Sequence, residues 1–237
     1  MRPFTLSTLL LFNGFTMAQG SGDDMLAGMS ALRKEDHPAA ESAFSRAVVS
    51  EPGNAKTWYY RGVNRLTTGD AQGAWTDLDH ALKLAPDDVH SLLRRAEASS
   101  QLGAEQMAIN DLQRVIELRP TGPATEHALL QLGNLAMAKN DLVAAKGFYD
   151  RVVNIAPHNA FGWCDRGIVL GAMHMDDEAL ADLDKAISID PTLDQAHVNK
   201  AMILFRMDRR QDACYALHEA HDLGDRSVEE LMLIYCE

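Results

Sequence analysis

A fixed repeat period constrains this chain more than any other feature of its sequence. Five prolines mark the period: Pro52, Pro86, Pro120, Pro157 and Pro191. Successive prolines are 34 residues apart, except for one interval of 37 that contains the insert TGPAT at 121–125. We expect the three extra residues to lie in a turn. A period of this length indicates an array of small supersecondary units rather than one globular core.

Other landmarks recur at the same offsets between the prolines. The second unit carries, in order, Trp58, Gly62, Ala74, Leu78 and Ala81. The fifth unit repeats that order with Trp163, Gly167, Ala179, Leu183 and Ala186. Apolar and small residues at helical spacing predict two helices in each unit, with the small residues allowing a close approach. Since the residue before a proline disfavours the helical region, the second helix should end there. The sequence therefore predicts an all-α stack of helical hairpins.

These landmarks resemble the tetratricopeptide repeat (TPR), a helix-turn-helix unit of about 34 residues with a Trp, a Leu-Gly, a small Ala and a closing Pro. The resemblance covers about 21–225 and implies a right-handed α-solenoid of about six TPR units, followed by a C-terminal capping helix at 226–237. The units are expected at 21–54, 55–88, 89–122, 126–159, 160–193 and 194–225.

The charge balance limits the partners that such a stack would bind. The formal net charge is −12, from 34 acidic and 22 basic residues, and no lysine- or arginine-rich run is present. Basic side chains that release counterions drive nucleic-acid binding, and basic segments also attract anionic membranes. Neither nucleic acid nor a membrane surface is therefore an expected partner.

The first eighteen residues follow a different pattern from the repeats. Arg2 is their one charged residue, an apolar stretch occupies 6–15, and Thr16-Met17-Ala18 offers a small-x-small cleavage site before Gln19. This pattern predicts a signal peptide at 1–18, and hence a periplasmic or secreted TPR protein of exported bacterial type that does not insert in the membrane after cleavage. The alternative is that the segment forms a buried N-terminal helix.

Two sequence clusters bear on catalysis or metal binding. His218 and His221 in HEAHD lie three residues apart, whereas a zinc-protease helix needs two histidines four apart. The pairs Asp77/Asp79 and Asp182/Asp184 place their members two apart, so these carboxylates do not face each other on a helix. We interpret the aspartates as a solvated outer face. The sequence thus predicts no catalytic residue, no metal site and no cofactor.

Function is then expected on a surface. The family resemblance implies that the first helix of each hairpin lines a concave groove that binds a peptide segment or a partner helix. The predicted lining comprises Lys56, Tyr59, Tyr60, Val63, Leu93, Arg94, Glu97, Gln131, Asn134, Met137, Cys164, Asp165, Ile168, Asn199 and Met202. Tyrosine, methionine, asparagine and arginine suit recognition because they combine contact area with adaptable hydrogen bonding. The predicted function is a non-enzymatic interaction scaffold outside the cytoplasm, and the alternative is a structural repeat protein that assembles with its own copies as a homo-oligomer.

One family subtype does not fit the lining. Chaperone-binding members grip a C-terminal carboxylate with a clamp of Lys, Asn and Arg. Here Arg94 and Asn134 match the clamp, but Met25 and Met29 stand where its first lysine and asparagine belong. A cytosolic co-chaperone role is therefore not expected.

The three cysteines are an odd number for a chain that enters an oxidising compartment. Cys214 and Cys236 are each eleven residues from Asp225 in the turn between the last two predicted helices, so a hairpin brings them to the same height. We predict a Cys214–Cys236 disulfide with Cys164 free; the alternative is that Cys214 and Cys236 are small apolar packing residues.

The last helix has its own start signal. Ser227 with Glu230 forms a capping box, and Leu231, Ile234 and Tyr235 are expected to form the buried face that closes the end of the stack.

Overall fold

The computed structural model describes the backbone of residues 13–236 and the side chains of residues 22–236. Within that range it contains thirteen α-helices, one short 3-10 turn and no strand, so the predicted all-α repeat solenoid is confirmed. The helices are α1 Asn13–Leu32, α2 His37–Ser50, α3 Ala55–Thr67, α4 Ala71–Leu84, α5 Val89–Gln101, α6 Glu105–Leu118, α7 Pro123–Ala138, α8 Leu142–Ile155, α9 Ala160–Ala172, α10 Asp176–Ile189, α11 Asp194–Arg206, α12 Arg210–Asp222 and α13 Glu229–Tyr235, with the 3-10 turn at Arg226–Val228.

The helices form two compact units. Unit 1 ends at Leu118 and contains the hairpins α1–α2, α3–α4 and α5–α6. Unit 2 begins at Arg119 and contains α7–α8, α9–α10 and α11–α12, followed by α13. In each unit, every hairpin packs on the next, because a single hairpin cannot bury its own apolar face.

The seam inside four of the hairpins, α1–α2, α3–α4, α7–α8 and α9–α10, depends on a glycine. A Cβ atom at Gly62 would lie 2.9 Å from Leu78 Cγ and 3.3 Å from the Ala74 carbonyl oxygen. Gly167 repeats this geometry, at 2.9 Å from Leu183 Cγ and 3.2 Å from the carbonyl oxygen of Ala179. The two helices therefore approach as closely as the small landmark residues predict, and any larger residue would push them apart.

The tryptophan and proline landmarks belong to one contact. The indole Nε1 of Trp58 donates to the carbonyl oxygen of Pro52 at 2.8 Å, and Trp163 donates to that of Pro157 at 3.0 Å. In the second and fifth units, the tryptophan thus holds the loop that precedes its own hairpin.

The insert at 121–125 does not lengthen a turn, and that expectation is wrong. Helix α7 begins at Pro123 and has 16 residues, whereas α3, α5, α9 and α11 each have 13. Gly122 takes a φ of +100° just before it. Proline fits the first position of a helix, where its missing N–H costs nothing. The three extra residues therefore extend the start of α7.

The interpretation of the paired aspartates as a solvated face is also wrong for half of them. Asp77 and Asp182 are 1% and 6% exposed, and each receives two hydrogen bonds from an arginine sixteen residues earlier, Arg61 and Arg166 respectively. Arg95 binds the buried Asp111 in the same way. We call these three pairs the arginine ladder. Each guanidinium joins the two helices of one hairpin, because residues sixteen apart lie at the same height on the two helices.

Most of the predicted signal peptide lies outside the described residues, which begin at 13. Helix α1 starts at Asn13 and runs through the predicted cleavage site after Ala18, so the first helix begins upstream of the unit boundary expected at 21. None of the helices in the described part of the chain has the length and apolarity needed to cross a bilayer.

The last helix packs differently from the expectation. Val228 is fully buried, and Leu231, Met232 and Cys236 pack against the same core, whereas Ile234 and Tyr235 are 56% and 45% exposed. Asp225, not Ser227, is the N-cap here, because its side chain accepts from the Ser227 N–H. The 3-10 turn rotates the start of α13, so a different stripe of the helix faces inward.

A disulfide joins this helix to α12. The Cα atoms of Cys214 and Cys236 are 5.5 Å apart with their sulfur atoms bonded, and Cys164 is a free, buried thiol. Arg210 adds a second tie, since its Nε donates to the carbonyl oxygen of Tyr235 at 2.5 Å.

Candidate protein-binding faces

The first helices of neighbouring hairpins lie closer together than the second helices. In unit 1, α3 contacts both α1 and α5, and in unit 2, α9 contacts α11, while the second helices make no contacts of comparable extent. Within each unit, the side where the helices crowd together is the inner side of the bend. The predicted lining residues are on these first helices, and we call the two sets the unit 1 face (α3 and α5) and the unit 2 face (α7, α9 and α11).

Tyrosine and arginine meet on the unit 1 face. The ring of Tyr59 packs edge-on against Tyr60 at 5.2 Å, and Arg94 Nη1 donates to Glu97 Oε2 at 2.8 Å. Burial raises the pKa of Tyr59, and the neighbouring Arg94 guanidinium partly offsets that rise. The structure therefore brings residues of α3 and α5 together as one surface of aromatic and charged groups.

The residues of this face differ in their exposure to solvent. Lys56 and Arg94 are exposed, whereas Val63 and Leu93 are half-buried. Tyr59 also packs against a core cluster that includes Leu66 and Leu78. Because of this contact, truncating Tyr59 would also cost stability.

Helix α7 supplies polar groups to the unit 2 face. The Tyr149 hydroxyl donates to Asn134 Oδ1 at 2.6 Å, and Gln131 Nε2 lies 2.6 Å from the imidazole Nε2 of His127. Met137 is half-buried against the core cluster that contains Tyr149. Asn134 is thus held in place by its hairpin partner while its residue stays exposed to solvent.

Helix α9 contributes one residue fewer than expected. Cys164 is 1% exposed, so it belongs to the core and its place in the predicted lining is wrong. Burial raises the pKa of its thiol to about 12, so the group stays protonated near neutral pH. Asp165 and Ile168 remain half-buried at the surface.

Helix α11 completes the unit 2 face. Met202 is 49% exposed, and Asn199 is half-buried with its amide nitrogen donating to the carbonyl oxygen of Gln195 at 2.8 Å. An exposed methionine is an adaptable apolar contact.

One exposed residue of this face was missed by the sequence reasoning. Phe161 is 55% exposed near the start of α9. It stands two residues before Trp163, as Lys56 stands two before Trp58. Comparing equivalent repeat positions would therefore have found it.

The histidines of HEAHD lie away from both faces. His218 and His221 border a cleft of about 280 Å³ beside α13, and His221 contacts Arg226 and Glu229. Within the side chains that the structure describes, no three His, Cys, Asp or Glu groups are arranged to hold a metal ion.

A stack of helical hairpins that presents side chains from its first helices defines an all-α repeat protein of the solenoid class. The chain contains tetratricopeptide repeats. A family model described as Tetratricopeptide repeat matches residues 25–89, and a second with the same description matches 89–121. Tetratricopeptide repeats, as expected from the sequence, are thereby confirmed over 25–121.

Known proteins extend the similarity beyond the matched repeats. The small glutamine-rich tetratricopeptide repeat-containing protein 2 of Saccharomyces cerevisiae is 26% identical over 150 residues, covering 63% of this chain and 42% of the relative. The chain therefore spans less than half of that protein's length.

Two solved structures share the fold. The structure of PilF from Pseudomonas aeruginosa covers 94% of this chain and all of its own, with a TM-score of 0.76 at 12% identity. YrrB, a TPR protein with an unusual peptide-binding site, covers 80% of this chain and 96% of its own, with a TM-score of 0.61 at 17% identity.

Proposed function

We propose that this protein is a non-enzymatic scaffold that binds a peptide segment or partner helix on the inner faces of its TPR units. The observation that carries the proposal is that each unit presents recognition-type side chains on its first helices, Tyr59 and Arg94 in unit 1 and Met202 in unit 2. Such anchors gain affinity because little ordering is needed on binding. YrrB supports the proposal as a protein of the same fold with a peptide-binding site.

Substituting the exposed basic residues of the unit 1 face should weaken partner capture. Lys56→Ala with Arg94→Ala removes two exposed side chains that lie outside the core. We expect capture of crosslinked partners from the producing cells to fall at least about fivefold, with the thermal unfolding curve unchanged.

A matched double variant controls for charge. Lys83→Ala with Arg114→Ala removes the same residue types from second helices, where the side chains are 70% and 46% exposed, against 45% for Arg94. Its capture should equal that of the wild type. Equal losses in both double variants would refute binding on the unit 1 face.

We further propose that the protein acts outside the cytoplasm, as a mature chain that starts near Gln19 and carries the Cys214–Cys236 disulfide. The pairing of these two cysteines supports this location, since structural disulfides persist in oxidising compartments. Intact mass and non-reducing peptide mapping of protein from the envelope or medium should show loss of residues 1–18 and one bridged cysteine pair. Finding Met1 retained, or both thiols free, would contradict the proposal.

Assembly with further copies is the second candidate. The observation in its favour is the outer side of α13, where Leu233 and Ile234 are 62% and 56% exposed. If copies pair there, dilution should shift the size-exclusion elution to later volumes, and a Leu233→Glu variant should elute late at every concentration.

A further inference from the structure

Asp165 lies on the unit 2 face without the kind of partner that other sheltered aspartates of this protein have. Asp77, Asp111 and Asp182 each hold an arginine through two hydrogen bonds. Among residues 22–236, no lysine or arginine forms an ion pair or hydrogen bond with Asp165. The next residue along α9, Arg166, is directed into the arginine ladder instead.

The surroundings of Asp165 do not compensate its charge. Burial and, after it, the charge of Asp165 raise the pKa of the Tyr149 hydroxyl, and that hydroxyl already donates to Asn134. Asp194, at the start of α11, adds a second negative charge close to Cys164. Burial raises the pKa of Asp165 to about 6, so near neutral pH the folded protein keeps a carboxylate in an unfavourable place. A charge held at such a cost favours an external counter-charge.

Apolar side chains flank this carboxylate along α9. Phe161 is four residues before Asp165 and Ile168 is three residues after it, so the three side chains form one stripe of the helix. The ring of Phe161 is 55% exposed. The stripe thus offers an apolar contact, a sheltered negative charge and a second apolar contact in sequence.

We propose that Asp165 binds an arginine or lysine side chain of the partner segment, with a neighbouring apolar side chain of that segment packed on Phe161. This deepens the proposed function and rests on it. A basic segment also suits the net charge of −12. A divalent cation does not fit, because within the described side chains no set of three ligating groups is assembled. An arginine would match the carboxylate with two parallel hydrogen bonds, as in the ladder.

Selection of short random peptides displayed on phage tests this inference. The wild type should enrich peptides with arginine or lysine at one position next to an apolar residue. Asp165→Asn should still enrich peptides, without the basic position, because the amide keeps the shape and loses the charge. Asp184→Asn is the control, since its side chain is 57% exposed and faces Lys200; it should select as the wild type does.

Binding measurements with a synthetic copy of an enriched peptide then give the coupling energy between Asp165 and the basic residue of the peptide. Changing its basic residue to glutamine should weaken binding about tenfold to the wild type and leave binding to Asp165→Asn nearly unchanged, which is about 1.4 kcal/mol of coupling. Enrichment without a basic position, or a basic position that persists in Asp165→Asn, overturns the pairing while the scaffold proposal stands. If no peptide is enriched, and Lys56→Ala with Arg94→Ala leaves partner capture unchanged, the scaffold proposal itself fails.

Discussion

Replacing Arg166 by alanine is expected to lower the free energy of unfolding by about 3 kcal/mol, because removing one partner leaves the other charge sheltered and unpaired. Arg166 contacts Asp182 at 2.6 and 2.8 Å and Asp150 at 3.0 Å, and its side chain is 20% exposed against 8% for Asp182. It also lies over the Trp163 ring, at 4.8 Å from the centroid. Urea unfolding followed by circular dichroism measures the loss.

Two further variants separate the causes of that loss. Arg114→Ala removes an arginine that pairs with Asp87 and Glu117 at the surface, where ion pairs contribute little, and should unfold like the wild type. Arg166→Met with Asp182→Leu removes both charges and should recover part of the stability, because no buried charge is left alone. A loss for Arg166→Ala no larger than for Arg114→Ala would show that the ladder does not stabilise the fold.

Replacing Asp165 by asparagine is expected to stabilise the protein near neutral pH, by on the order of 2 kcal/mol. The pKa of this carboxyl is raised to about 6 by burial, so the folded state holds the proton more tightly than the unfolded state does. The contribution of the protonated Asp165 carboxyl to the free energy of unfolding is therefore complete below about pH 4 and is lost as pH rises to about 6. The full shift corresponds to roughly 3 kcal/mol, and partial solvent access reduces that figure.

The measurement is urea unfolding of both proteins across this pH range. The difference in unfolding free energy between Asp165→Asn and the wild type should be near zero at about pH 4 and reach its plateau above about pH 6. Asp184→Asn, which removes a carboxylate from a more exposed side chain, is measured alongside as the control. A difference that does not change with pH would contradict the raised pKa.

These two variants also distinguish two roles for charge in one helix. Arg166 binds carboxylates of its own unit, whereas the adjacent Asp165 has no basic partner in the described part of the chain. If the proposed pairing is correct, the stability gained by Asp165→Asn comes with a loss of peptide selectivity. Such an exchange is common where function requires an unfavourable group.

Part of the candidate site could be predicted from the repeat register. The exposure of Lys56, Arg94 and Met202 on first helices follows from their offsets to the tryptophan and glycine landmarks, and the same offsets would have indicated Phe161. The burial of Cys164 could not be read in this way. Cys164 occupies the repeat position equivalent to Tyr59. The exposure of each of these side chains is determined only by the neighbouring helices.

The three pairs of the arginine ladder could in principle be predicted from the sequence. Each of its pairs has the same sixteen-residue spacing, whereas the spacing of two between aspartates on one helix only excludes contact between them. Their partners are on the other helix of the hairpin, so the missing information was the register between two helices.

The sequence by itself determined the period, the two helices of each hairpin and the small residues at their seam, because helical spacing and glycine are local properties of the chain. Only the tertiary structure decided which polar groups are sheltered and which face of the last helix is inward. Asp77 and Asp182 are buried, and Ile234 is exposed while Val228 is covered. Burial depends on the neighbouring helices, whose distance and rotation no residue pattern within one helix specifies.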